Sequence, residues 1–443
     1  MKRFLSIILC FLMILSLCFI TAGCKREKAS IYFLNFKPEV ATVYEKIADA
    51  YEAETGIKVK VVTAAANTYE QTLKSEIAKS DAPTIFQVNG PIGFRAWKDY
   101  CADITDTKFY QFLSDKTLAI TENDRVYAVP YVVEGYGIIY NDEIMQRYFA
   151  LPNKKSTLNS AKDIKSFADL KTVVEDMTAN KEELGIEGVF ASTSLAGGED
   201  WRWQSHLASV PFYYEMREMH ADTDPIVAAT QIGEVAFKYA ENFKNIFDLY
   251  INNSLTDKNL LGSKSVNDSM AEFATGKCAM VQNGTWAWSQ ISEVNGNKVK
   301  AENIGMLPLY MGIDGEEHYG LCIGTENYLA INSKASEEQK KLSEDFLAWL
   351  FSSETGKKFV RDELKFATPF TTLSTMQPND PLAKEMARYM NNGEITSVPW
   401  VFVGFPSERF KTAFGDALLE YVQGSKDFSA VIDTVKKEWK SER

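Results

Sequence analysis

Apolar and polar positions along this chain change period several times, and each change marks an element. A continuous apolar run, Phe4 to Ile20, follows Lys2 and Arg3 and leads into Thr21-Ala22-Gly23-Cys24. Ser30–Asn35 (SIYFLN) then reads as a strand, which Phe36-Lys37-Pro38-Glu39 breaks into a loop. Val43, Ile47, Ala50 and Tyr51 recur at helical spacing up to Thr55-Gly56, where glycine supplies a stop, and Ile57–Val62 (IKVKVV) alternates as a strand. Strand, helix and strand in that order predict a parallel α/β unit. A helix over Tyr69–Lys79 follows, and then a buried strand ending in Thr84-Ile85-Phe86. That strand delivers Gln87–Phe94 (QVNGPIGF) at its carboxyl end, where open α/β sheets hold ligands.

Arg125–Asn141 (RVYAVPYVVEGYGIIYN) is rich in β formers yet holds Gly135 and Gly137, which suits a place where torsions change. Lys154–Asp163 is polar and loop-like, Phe167–Asn180 has the spacing of an amphipathic helix, and Gly188–Ala191 that of a strand. Beyond the polar loop Ser192–Asp200, a helix opens with WRWQSHLASV. Trp201 and Trp203 cannot share one of its faces, so at most one is core. Phe273 closes another apolar helix face, Gly276 ends it, and Cys278–Val281 is a short buried strand running into a turn at Asn283–Gly284. Trp286 and Trp288 come next. Indoles just past a buried strand suit either a platform for a flat ligand or ordinary core. Leu342, Phe346, Trp349 and Leu350 form the stripe of a helix beginning near Ser336. The chain is helical again from Pro381, interrupted by Val398–Pro406 (VPWVFVGFP) with Trp400.

The first apolar run with Cys24 behind it is a secretory leader of the bacterial lipoprotein kind; an uncleaved membrane helix is the competing reading. On the first reading residues 1–23 are removed and Cys24 carries lipid. With 45% hydrophobic and 12% aromatic residues the chain supports a sizeable core, and its length suits two lobes. A net charge of −12 excludes nucleic acid as a partner. Cys10 and Cys18 leave with the leader, so Cys101, Cys278 and Cys322 remain, each in apolar company, which predicts free buried thiols. His206, His220 and His318 lack zinc spacing, and no nucleophile elbow or phosphate loop is present, so neither metal nor cofactor is expected. Glu199-Asp200 are neighbours, which does not give the opposed carboxylates of a glycosidase; capping explains Asp200 as well.

Phe273–Ile291 (FATGKCAMVQNGTWAWSQI) resembles the F-x-x-G-x-x-A-M-x-x-x-G-x-W segment of extracellular solute-binding proteins of carbohydrate ABC importers, and NGTWAWSQI is close to the maltodextrin-binding type. Other segments match in the same order. Tyr51–Val59 (YEAETGIKV), Asp81–Phe86 (DAPTIF), Tyr127–Pro130, Gly137–Asn141, Asn327–Ile331 and Phe366–Pro369 are each similar to a family segment. The resemblance implies an α/β, two-lobe periplasmic-binding fold of the type II kind, each lobe a mixed sheet flanked by helices, with three hinge crossings. It divides the chain into the leader 1–23, a tether 24–29, a first lobe of 30–136 and 324–365, and a second of 141–318 and 370–443. It further implies a monomer, tied to the membrane only by lipid, that binds a carbohydrate and delivers it to ABC permease subunits. The ligand contacts it suggests are Trp286, Glu134, Trp201, Trp203, Lys37, Asn89, Tyr136, Trp288 and Trp400, with Gly135 and Gly137 as hinge. Glu134 matches an acid that accepts hydroxyl hydrogen bonds, which a carboxylate does well. The maltodextrin type carries acid, arginine and tryptophan ligands where this chain has Asn89, Gly90 and Pro91, so the sugar itself is not implied. A peptide or polyamine cargo, or a lipoprotein glycoside hydrolase using Glu134 and Asp200, are the alternatives.

Overall fold

A computed structural model describes residues 30–65, 68–375 and 379–443. Cys24, the expected lipid site, and the whole leader lie outside the described residues.

Strand β1 (Ile31–Asn35), helix Ala41–Thr55 and strand β2 (Val59–Thr63) form the parallel unit predicted from the period changes, in register from Ile31 against Val59 to Asn35 against Thr63. The helix stops at Gly56, whose φ of 72° is the left-handed conformation that a side chain would strain. All five residues of β1 are buried because both faces of the sheet are covered. Ile31 and Phe33 join the core under helices Ala41–Thr55 and Glu337–Ser352, while Tyr32 and Leu34 join the one under Tyr69–Glu76. With β3 (Ile85–Asn89), β4 (Ile120–Glu122), β5 (Arg125–Pro130) and β11 (Asn327–Ile331), these strands make a mixed sheet in the order β2-β1-β3-β11-β5-β4.

The second sheet is built on β6 (Glu134–Asn141), buried at every residue. On one side β6 pairs antiparallel with β8 (Cys278–Gly284). On the other it pairs with β10 (Tyr319–Gly324) at its start and with β9 (Ile304–Leu307) at its end. Strands β7 (Gly188–Phe190) and β12 (Thr396–Val398) complete the order β12-β10-β6-β8-β7. Each lobe is thus a mixed sheet between helices, and the chain passes between lobes three times.

Three expectations change here. Glu134, Gly135 and Tyr136 already pair with β10 of the second sheet, so the first crossing is at Tyr131–Val133 and not after residue 136. Phe370 and Leu373 still pack in the first lobe's core, so the second lobe does not resume at 370. Gly135 and Gly137 are strand residues, not hinge residues. A Cβ at Gly137 would sit 2.4 Å from the Leu307 carbonyl oxygen, and one at Gly135 3.1 Å from Met386 Cγ, so close approach of neighbouring elements dictates glycine at both. Cys101, Cys278 and Cys322 are free and buried, and burial pushes the thiols of Cys101 and Cys322 up to about 12. Among the described residues no helix is long and apolar enough to cross a membrane, and no cluster of side chains has the make-up of a metal site.

Candidate ligand-binding cleft

The strand that ends in Gly284 sets the site. Local chemistry predicts a turn at Asn283–Gly284, but both lie in β8, paired with Gly137 and Tyr136. The break comes one residue later. Thr285 holds it, donating its amide to the Gly135 carbonyl (2.9 Å) and accepting the Gly135 amide at its hydroxyl (3.2 Å). Trp286 then folds back across Gly284: a Cβ there would lie 2.0 Å from Cζ3 of the indole, so only glycine lets the ring settle. Helix Ala287–Ser292 follows, and its Trp288 packs on the Met270, Phe273 and Met386 cluster, away from the Trp286 rings.

Around Trp286, itself half-buried, four rings converge. Tyr136 stacks on it at 6.0 Å and 24°, Trp201 lies at 5.9 Å, His206 at 5.8 Å, and Trp400 meets it edge-on at 6.3 Å. Tyr136 and Trp400 are buried behind; Trp201 and Trp286 remain half-exposed in front. Trp203 is not part of this group. It is fully buried between Phe247 and Tyr250 with its N–H on the Ser194 carbonyl (3.1 Å), so the site contact expected of it is corrected to core. The expected regular helix also begins as a π-helical segment, Arg202–Leu207, where the Ala208 amide reaches the Trp203 carbonyl five residues back. That wider turn brings rings five apart together, Trp201 and His206 at 4.9 Å, which an α-helix would splay.

Charge enters from the first lobe. Asn35 clamps the loop after β1 through both the amide (3.0 Å) and the carbonyl (2.9 Å) of Lys37. The Lys37 ammonium is thereby placed 2.8 Å from Glu134 Oε1, 3.5 Å from Glu39 and 6.0 Å from the Trp286 ring. The other Glu134 oxygen accepts from Asn327 Nδ2 at 3.0 Å. Burial pushes the Glu134 carboxyl up against the pull of Lys37. Burial lowers Lys37, but Glu134 and Glu39 outweigh it and leave the ammonium above its ordinary value. Asn89 sits at the end of β3, opposite Asn327, and accepts from Gln87 Nε2 (2.9 Å). Beside it Gly90, at φ 63°, lies against Val403 of the other lobe: a Cβ at Gly90 would sit 3.0 Å from Val403 Cβ. The lobes are closed on one another here.

Around these rings several polar atoms are stranded. Trp400 Nε1, His206 Nε2, Gln282 Oε1, Asn327 Oδ1 and the whole Arg202 guanidinium are buried without a hydrogen-bond partner. Burial holds His206 well below its ordinary value, so the imidazole is neutral. Native folds satisfy nearly all buried polar groups, and a group left bare costs about 1–3 kcal/mol, so several in one cleft mark a place meant for a polar guest. Next to the cluster, a cavity of about 110 Å³ is lined by Glu39, Val43, Glu134, Trp286, Phe366 and Met386. Ligand pockets run to roughly 300–1,000 Å³, so the lobes must part to admit one. Arg202, His206, Gln282 and Asn327 escape sequence reasoning. Only the position of Asn327, first in the strand after the second crossing, hints at its place.

Residues 46–397 match the family model of bacterial extracellular solute-binding proteins. The chain belongs to that family. This solute-binding protein is 25% identical over 353 residues to the melibiose/raffinose/stachyose-binding protein MelE of Bacillus subtilis, covering 77% of this chain and 76% of the relative. Its fold is shared with the solute-binding protein RafE in complex with raffinose, at a TM-score of 0.68 and 18% identity over 93% of this chain and 99% of that one. A Bacillus licheniformis sugar transporter in complex with stachyose superposes at 0.67 with 17% identity, over 94% and 100%. Membership in an extracellular family puts the working compartment of this solute-binding protein outside the cytoplasm.

Proposed function

We propose that this solute-binding protein captures a sugar or oligosaccharide between its lobes and hands it to the permease subunits of an ABC transporter, working as a monomer held at the membrane by lipid on Cys24. The observation that carries the reading is the pairing of two half-exposed indoles, Trp286 and Trp201, with stranded hydrogen-bonding groups at Trp400, His206, Gln282 and Asn327. A pyranose has just these two needs, a ring face for its C–H groups and partners for its hydroxyls. MelE, RafE and the Bacillus licheniformis protein, all named for or bound to galactose-containing oligosaccharides, support it.

A polyamine is disfavoured by the unpaired guanidinium of Arg202 in the same cluster. A hydrolase needs two carboxylates across one bond. Instead, Asp200 is buried against Gly415 and Glu134 is paired with Lys37. Closure supplies the mechanism: a ligand touching both lobes favours the closed state by its differential affinity, and the permease recognises that state. A thermal-shift screen against a carbohydrate library tests the reading. One or more oligosaccharides should raise the melting temperature, whereas a rise with peptides alone overturns the sugar assignment. Loss of membrane retention in Cys24→Ala is the result expected for the anchor; retention points to an uncleaved helix.

A further inference from the structure

Arg202 opens the π-helical segment and is fully buried, with Nε, Nη1 and Nη2 all lacking a hydrogen-bond partner. Its guanidinium lies 4.2 Å from the ring centre of Trp201, and that ring is 5.9 Å from Trp286. No carboxylate forms an ion pair with it: Glu199 is near enough to act on it through its charge but accepts the Val266 amide (2.9 Å) instead, and Asp200 is turned against Gly415. The Tyr250 hydroxyl already takes the Gln282 amide and the Thr193 hydroxyl, and the Tyr136 hydroxyl donates to the carbonyl of Arg202 itself. The other deep cations of the cleft are matched: Lys37 has Glu134 and Glu39, and Lys411 has Glu408 at 2.7 Å. Among these deep cations, Arg202 is the one whose charged group has neither an ion pair nor a hydrogen bond, and it lies beside the aromatic platform. A buried charge with no partner is among the costliest features a fold can keep, and stacking on one indole offsets little of it.

We propose that the ligand brings the missing anion: the cargo is an acidic sugar whose carboxylate takes the Arg202 fork while its ring lies on Trp286. This rests on the carbohydrate reading and narrows it. A guanidinium presents two parallel N–H groups that match a carboxylate in geometry, which a lysine at this place would not. Trp201, half-exposed and lying on the guanidinium, is the ring that turns aside to admit the carboxylate when the lobes part.

The test uses matched pairs, trigalacturonate, trimannuronate and a glucuronic-acid-bearing xylotriose, each beside its neutral methyl ester, with raffinose and maltotriose as uncharged sugars. Melting temperature and calorimetric affinity are read on the mature protein. At least one acid should bind, about tenfold or more tighter than its own ester, because a site built to pair a group rejects the analogue lacking it. In Arg202→Gln that ratio should fall to within about threefold, and Arg202→Lys should keep part of it. The ester comparison in the unmodified protein needs no variant, so it stands if Arg202→Gln fails to fold. Binding of raffinose or maltotriose with no response to any acid overturns the acidic cargo and leaves the sugar reading intact. Equal affinity for acid and ester, or an acid preference that survives Arg202→Gln, overturns the role of Arg202. No response to any carbohydrate overturns both readings.

Discussion

Replacing Trp286 by alanine separates a binding platform from a structural tryptophan. The indole covers the α-carbon of Gly284 and stacks on Tyr136 at 6.0 Å, but it is only half-buried, so truncation opens a notch facing the cleft rather than a sealed cavity. A fully buried tryptophan lost to alanine costs about 3–5 kcal/mol, and Trp286, partly exposed at the cleft, should fall below that, at about 2 kcal/mol. For a lobe-sized unit this lowers the melting temperature by about 4–8 °C. On the binding side, an aromatic platform worth about 2 kcal/mol or more weakens a micromolar sugar roughly thirtyfold. Titration calorimetry and thermal melts on the same samples read both effects. Trp203→Ala is the contrasting variant: sealed between Phe247 and Tyr250, it should lose about 3–5 kcal/mol of stability. Near-native affinity in Trp286→Ala together with a collapsed melting temperature would refute the platform.

Further outcomes follow from the same geometry. Gly284→Ala places a methyl 2.0 Å from the Trp286 ring, so it should push the indole off its seat and weaken sugar binding about as much as Trp286→Ala; unchanged affinity in calorimetry contradicts that seat. Gly137→Ala meets the Leu307 carbonyl at 2.4 Å and should shift the urea midpoint by about 1–3 kcal/mol of stability, whereas a hinge role would instead alter closure at unchanged stability. Burial pushes Asp200 up to about 6 from its ordinary 3.8, so the folded state holds the proton more tightly than the unfolded chain. Its contribution is intact below pH 3.8 and is lost as pH rises through 6. Asp200→Asn should therefore raise the melting temperature at pH 8, by up to about 3 kcal/mol of stability, and much less at pH 4; an equal effect at both removes the titration account.

Much of the fold was legible because local pattern and tertiary role agree. The apolar run of β1, the helical spacing of Val43, Ile47 and Tyr51, Gly56 as a left-handed stop and the alternation of β2 all act within a few residues of one another. Where long-range pairing decides, local reading slipped. Asn283-Gly284 is a strong turn signal, yet β8 is held by β6 on one side and β7 on the other, and the ladder to Tyr136 extends it to Gly284. Gly135 and Gly137 signal freedom in isolation, but their reason for being glycine is a carbonyl on β9 and a methionine on helix Pro381–Met390, far along the chain. The site divides the same way. Trp286, Trp201 and Glu134 stood out by residue type. His206 and Arg202 did not, because a π-helical turn and the burial of an unpaired charge have no periodic signature.

The central claim is that a carbohydrate is held between the lobes on the Trp286 platform, and a crystal structure with an oligosaccharide from the binding screen tests it most directly. A pyranose ring should lie against Trp286, with hydroxyls on His206 Nε2, Trp400 Nε1 or Asn327 Oδ1, the atoms now without partners. Sugar found instead in the outer groove of about 590 Å³ lined by Tyr214, Arg217, Tyr239 and Tyr319, with the cleft rings unchanged, would contradict it.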